Sequence, residues 1–354
     1  MKVKAFHITL LYLTTIGFAN AQLSISHKPA TPLKEIADGK TMANFDLILS
    51  NTGKDTLRLE KVIVRMYDNT NSLLKEKFLD NNGTAPSINL ISKRELVAGQ
   101  TINIFNPFPE MAGEVTDKLE FIFTFNENVK ITHTVFPKNY TQPTDFILPV
   151  SDRTIVYDGH DANSHHRRFD YEFAPIKQLG FTSNFMRYAY DFVTINDAGQ
   201  MHKNDGTADA DWFSFGKNIA AVADGTVVGV VTAKADDKKF NSVALKDNQM
   251  ELFGNYVIIK HADKLFSVYG HMQQNSTALK VGDKVVRGQK IGKIGTSGSA
   301  FIPHLHFEVR DGSDANAEGL PSYFIDFFII MGDKKQHVKR GTINTGDIFI
   351  TDRQ

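Results

Sequence analysis

The chain predicts a mainly β protein built as two unlike units, and three observations carry that expectation. In the amino-terminal third, apolar residues alternate with polar ones, and the runs stop at Asn, Gly and Asp clusters. In the remainder, short apolar runs end on recurrent glycines, with little helix between them. A polar stretch with three prolines, 137–149, separates the two and reads as a linker. A length of 354 residues also exceeds the usual size of one domain, so two domains are the default.

Lys+Arg and Asp+Glu both number 40, giving a formal net charge of zero. Nucleic-acid binders ordinarily carry a basic excess or stripe. Neither is present here, and no nucleic-acid partner is expected. At the amino terminus, Met1-Lys2-Val3-Lys4 is basic, Ala5 to Phe18 is apolar, and Ala19-Asn20-Ala21 is a small-x-small exit. That order reads as a secretory signal over 1–21 and predicts an exported protein, periplasmic or extracellular. The apolar run is shorter than a bilayer span needs, so no transmembrane anchor is expected. The chain has no cysteine. Disulfides and thiolate zinc sites are therefore excluded, and any metal must be held by His, Asp or Glu.

Over 22–136, Phe45, Leu47 and Leu49 alternate with polar partners, as do Leu57 and Leu59, then Val62, Val64 and Met66. Leu119, Phe121, Phe123 and Phe125 repeat the pattern with a heavy aromatic load, and Ile131 to Phe136 adds a strand. An antiparallel β-sandwich of immunoglobulin-like size follows from this. His27 and His133 stand isolated in the sequence. A positioning or interaction module, with a possible protein partner, is the expected role.

The second unit is expected over 150–335 as a compact Gly-rich β-barrel or sandwich, with 336–354 a carboxy-terminal extension. Its most informative stretch is Pro303-His304-Leu305-His306-Phe307-Glu308. On a strand, successive side chains point to opposite faces. His304, His306 and Glu308 then line one face, while Leu305, Phe307 and Val309 pack into the other. Such a pair can put one imidazole on a metal and leave its neighbour for proton chemistry. By the same parity, His271 shares a face with Tyr269 and Ser267. Asp191 lies opposite Tyr188, Tyr190 and Phe192, in an aromatic setting where an unpaired charge is costly and a partner is expected. The stretch from Asp158 to Arg168 is polar, irregular and carries His160, His165 and His166. It reads as a loop, where function concentrates. His261 is expected to be structural, and Tyr188, Tyr190, Tyr269 and Trp212 to be packing residues before groove residues.

Taken together, these pieces resemble the lysostaphin/LytM-type zinc metallopeptidases. The resemblance runs from about His165 to Gly312. It rests on the strand Asp191, then Ala223-Asp224-Gly225-Thr226-Val227-Val228, Asn255-Tyr256-Val257-Ile258-Ile259-Lys260-His261, and Tyr269-Gly270-His271. Gly282-Asp283-Lys284-Val285 through Gly292 and then His304-Leu305-His306-Phe307-Glu308 complete it in order. The resemblance implies a second domain of the duplicated hybrid-motif type and hydrolysis of peptide bonds in bacterial peptidoglycan by a zinc-activated water. It also implies a zinc ion held by a His, by Asp191 and by His306, with His271 and His304 as the two non-ligand histidines that move protons or stabilise the intermediate. Which of those two does which is left open.

One position departs from the pattern. The first ligand ordinarily sits four residues before the Asp, and here that residue is Arg187, which cannot ligate a metal. Two explanations follow. In one, the upstream loop supplies the ligand, His166 or else His165, and Arg187 is structural. In the other, Arg187 projects from the Asp191 face and neutralises it, leaving a metal-free domain that binds cell wall or activates another wall hydrolase. The first is the expectation adopted, with His166 preferred. A carrier domain of the biotinyl/lipoyl kind ranks last, because no Met-Lys hairpin is present.

Overall fold

The computed structural model describes residues 23–37, 39–82, 87–161 and 164–352. The expected secretory signal lies outside the described residues. Among these, no helix is long and apolar enough to cross a membrane, and the one α-helix is the short Ala174–Lys177.

The amino-terminal alternation folds as its period requires. Leu23–Lys28, Asp46–Asn51 and Thr101–Phe105 form one antiparallel sheet with Asp46–Asn51 in the middle. Lys130–Val135, Lys118–Phe125, Leu57–Tyr67 and Leu73–Leu79 form the other, in that order. Register places Phe121 opposite Val64 and Phe123 opposite Val62, so one face of each strand turns inward. Leu47, Leu49, Ile102 and Ile104 meet those side chains in a single dry core. Phe45 stands edge-on to Phe121, ring centroids 5.9 Å apart, the arrangement that aromatic quadrupoles favour. His27 and His133 are not isolated: their Nδ1 and Nε2 atoms lie 2.7 Å apart, a pairing invisible across a separation of 106 residues.

The second unit is built on an open ten-stranded sheet. From one edge to the other it runs Lys284–Val285, Gly225–Val231, Tyr256–Ala262, Leu265–Gly270, Leu305–Arg310, Tyr190–Thr194, Thr154–Asp158, Ile348–Ile350, Phe324–Met331 and Lys334–Gly341. The sheet does not close, so the barrel half of the expectation is not met and the layered half is. The second layer includes Asn218–Ala220 paired with Lys290–Lys293. Ile219 and Ile291 from that pair share one core with Val227, Val257, Tyr269, Leu305 and Phe307. Residues 336–354, expected as an extension, supply much of the outer hairpin and the strand Ile348–Ile350 inside this sheet. The proline-bearing stretch 137–149 is anchored as well, with Phe146 and Leu148 fully buried in the same core.

Two glycines make a contact that no other residue permits. Gly254 and Gly298 both take positive φ, 62° and 76°, a region that side chains strain to occupy. A Cβ on Gly298 would lie 2.3 Å from the Gly254 nitrogen, and one on Gly254 would lie 2.3 Å from the Gly298 nitrogen. Their backbone approach sets the 254–255 and 297–298 segments against each other, with the Asn255 N–H donating to Ser297 Oγ at 2.8 Å. Gly298→Ala is expected to destabilise the protein by about 1–3 kcal/mol from overpacking, with added strain at positive φ. A urea unfolding midpoint equal to wild type would count against this account.

Candidate metal centre

Three neighbouring strands of the large sheet create the centre. Leu305–Arg310 is flanked by Tyr190–Thr194 on one side and Leu265–Gly270 on the other, with His306 opposite both Asp191 and Gly270. Cross-strand partners on one face hold their Cβ atoms about 4.5–5.5 Å apart, so register alone brings a carboxylate beside an imidazole. His306 Nδ1 lies 3.0 Å from Asp191 Oδ1. Strand parity is as expected from sequence: Leu305, Phe307 and Val309 enter the core, and His306 and Glu308 take the other face. Gly270 leaves room there, since a Cβ would lie 3.5 Å from the His306 Cβ and 2.9 Å from the Phe253 ring.

The third group comes from the polar loop. His166 is buried, and its Nε2 lies 3.5 Å from Asp191 Oδ2. Donor atoms of His166, Asp191 and His306 all fall within 4.8 Å of one another. Ligand bonds of about 2.0–2.2 Å around one tetrahedral ion need donor atoms about 3–4 Å apart, so these three side chains fit a divalent cation. The far nitrogens of both rings support that fit. His166 Nδ1 sits 3.5 Å from Asp158 Oδ2 and His306 Nε2 3.7 Å from Glu308 Oε2, and neither makes a hydrogen bond at those lengths. A carboxylate behind each imidazole is the arrangement that orients a metal-binding histidine. Glu308 is in turn held by the Arg310 guanidinium. His165 lies at the mouth of the same cavity, exposed, with its Nδ1 2.6 Å from Asp158 Oδ2, and it forms a second donor group with Asp158 and His166 that lacks Asp191 and His306.

Charge at this centre is finely balanced. Burial alone would raise the Asp191 pKa, but His166 and His304, with hydrogen bonding from His304 and His306, hold it well below the usual carboxylate range. Burial opposes a proton on His306, yet Asp191 and Glu308 outweigh it and push its pKa up to about 9. Burial drives the His166 imidazole down to about 4, and the nearby carboxylates recover only part of that. A positive charge is thus favoured between Asp191 and Glu308, while His166 keeps a free lone pair.

His271 and His304 share the cavity, with ring centroids 4.7 Å apart. Each donates its Nδ1–H to a backbone carbonyl, His271 to Ser297 and His304 to Ile302, both at 2.8 Å. The Nε2 of His271 is left to the cavity, and His304 Nε2 lies 3.4 Å from Asp191 Oδ1. His271 corrects the sequence reading. The strand ends at Gly270, and His271 takes φ 57°. That turn breaks the parity, so Tyr269 enters the core while His271 lines the cavity. The cavity holds about 740 Å³, with Tyr157 and the 85% exposed Phe301 at its rim. Tyr188, Tyr190 and Tyr269 are buried packing residues, and His261 bonds Ser267 Oγ and the Asp224 carbonyl at a strand end.

Arg187 is not on the Asp191 strand. It lies in the turn before Tyr190–Thr194, fully buried, with Nη2 2.8 Å from Asp46 Oδ2 and 3.5 Å from Glu318 Oε2. Its guanidinium is committed to those carboxylates, so the neutralisation of Asp191 entertained from sequence does not form. Sequence reading also missed Asp158, whose strand shifts register after Val156 and so hid which way the side chain points.

Residues 210–317 match the model of Peptidase family M23, a span that begins after His166, Arg187 and Asp191. The Peptidoglycan DD-endopeptidase ShyC of Vibrio cholerae is 27% identical over 222 residues, covering 60% of this chain and 45% of that protein. The Murein hydrolase activator NlpD of Escherichia coli is 36% identical over 98 residues, 27% of this chain and 21% of that one. The chain therefore spans less than half the length of either relative. Among solved structures, the lysostaphin catalytic domain from Staphylococcus simulans aligns at 23% identity over 37% of this chain and 74% of that one, with a TM-score of 0.23. On the family match and the ordered motifs within it, residues 210–317 belong to a Peptidase family M23 domain.

Proposed function

We propose that this protein is an exported zinc metallo-endopeptidase that hydrolyses peptide bonds in bacterial peptidoglycan. The observation that carries the reading is a complete donor set, His166, Asp191 and His306, despite the arginine where the first ligand was expected. Export is supported by the basic, apolar and small-residue order of residues 1–21, and the substrate by the relationship to ShyC.

A zinc ion held by these three side chains would polarise the scissile carbonyl and activate a water. The remaining residues would manage protons and orientation. The Ser297 carbonyl fixes the His271 tautomer, and burial keeps its pKa well below the ordinary value, so its Nε2 is a neutral acceptor facing the cavity. That suits it to take the proton from the attacking water. His304, aligned by Ile302 and close to Asp191, would stabilise the tetrahedral oxyanion or return a proton to the leaving amine. Asp158 and Glu308 would keep the two ligand imidazoles in the metal-binding tautomer.

The similarity to NlpD favours a second reading, a metal-free domain that activates another wall hydrolase. Metal analysis separates the two. Purified wild-type protein is expected to hold one equivalent of zinc, lost in His166→Ala, Asp191→Ala and His306→Ala but kept in His165→Ala. Asp158→Asn should weaken zinc binding about 10–100-fold without abolishing it. A wild type that takes up no zinc would transfer the argument to the activator.

Catalysis has its own test. His271→Ala and His304→Ala should retain zinc yet release new amino ends from purified peptidoglycan about 10²–10⁴-fold more slowly. Undiminished release by both variants would remove these histidines from the mechanism.

A further inference from the structure

The loop that carries His166 has almost no regular structure of its own. Between the strands Thr154–Asp158 and Tyr190–Thr194, the four-residue helix Ala174–Lys177 is the only regular element among the described residues. A ligand so placed needs another source of rigidity, because an imidazole that wanders lowers the fraction of molecules able to bind. The contacts of this loop identify that source as the amino-terminal sandwich.

Arg167, the residue next to His166, is buried and spends its guanidinium on three consecutive residues of that sandwich. Its Nε donates to Asn44 Oδ1 at 3.0 Å, its Nη2 to the Phe45 carbonyl at 3.1 Å, and its Nη1 to Asp46 Oδ1 at 3.2 Å. Tyr171 Oη donates to Asp46 Oδ2 at 3.1 Å, and Arg187 Nη2 reaches the same oxygen at 2.8 Å. One fully buried carboxylate thus gathers three side chains from the segment that begins at His166 and ends before Asp191. The near side of the loop is tied down too. His160 Nε2 lies 3.7 Å from Glu35 Oε2, and Glu35 Oε1 accepts from Asn44 Nδ2 at 2.9 Å.

We infer that Asp46 is a positioning residue for the His166 ligand, and that the amino-terminal sandwich is a structural part of the metal centre. Arg187, unable to bind metal, holds the loop that supplies the ligand in its place. The inference rests on the metalloenzyme reading for the identity of the ligand, but the clamp itself does not depend on a bound ion. Through Arg167, displacement of Asp46 is passed to His166 across a single peptide unit. A purely structural Asp46 would lower stability and leave ion affinity alone.

The experiment uses the full-length chain stripped of metal and titrated with zinc against a chromophoric chelator. Asp46→Asn and Arg167→Met are expected to weaken zinc binding by about tenfold or more, as a tenfold fall in the competent fraction requires. Ile104→Val, which trims the sandwich core, should lower the melting temperature and leave zinc affinity unchanged. Tyr171→Phe removes one hydrogen bond and no charge, and carries the test with a smaller loss should Asp46→Asn fail to fold. Hydrogen exchange over residues 164–187 in the metal-free chain is the second readout and should accelerate in the same variants. Folded Asp46 and Tyr171 variants with wild-type zinc affinity and wild-type exchange would overturn the inference. Zinc missing from the wild type, with exchange still accelerated in the variants, would overturn the metalloenzyme reading and uphold the clamp.

Discussion

The pairing of Asp191 with His306 across adjacent strands is the constraint on which the rest depends. It puts a carboxylate and an imidazole in contact inside a buried face, where neither charge is tolerable alone. Each consequence follows from satisfying that pair. Glu308 and Arg310 extend the charge network behind His306, and His166 closes it from the other side. His271 and His304 complete the ring, each fixed through its Nδ1 by a backbone carbonyl. Such a cluster is stable only with positive charge at its middle, supplied either by a proton on His306 or by a cation.

Much of this was legible in the residues because strand periodicity is a local property. Alternation in Leu119 to Phe125 foretold a sheet with one dry face, and alternation in Leu305 to Val309 foretold that His306 and Glu308 share the face turned away from the core. What escaped reading was set by geometry that no short window contains. His271 leaves its strand through a positive φ, which reverses the parity its neighbours suggested. Closure of a sheet depends on how its edge strands meet, so the open ten-stranded order could not be told from a barrel. Arg187 is the sharpest case. Its partner Asp46 is 141 residues away, in a different domain, and the arginine reads as a defect in a motif until that carboxylate is seen.

The two units are therefore not independent of each other. The sandwich contributes a carboxylate and a row of backbone and amide acceptors to the irregular loop that carries His166, and the family match at 210–317 covers neither side of that contact. Arg187, at the position where the first ligand was expected, is held by a carboxylate of the sandwich, and the loop that carries His166 is stiffened from the same side.

The position of Ile348–Ile350 has a temporal consequence. This strand lies between Thr154–Asp158 and Phe324–Met331, so the strand that ends in Asp158 gains its second neighbour only once Ile348–Ile350 has been made. His306 and Asp191 are themselves 115 residues apart. A nascent chain that stops short of His306 cannot form the Asp191–His306 pair. The arrangement around Asp158 is therefore a late event in folding, set by pairings between segments far apart in the sequence.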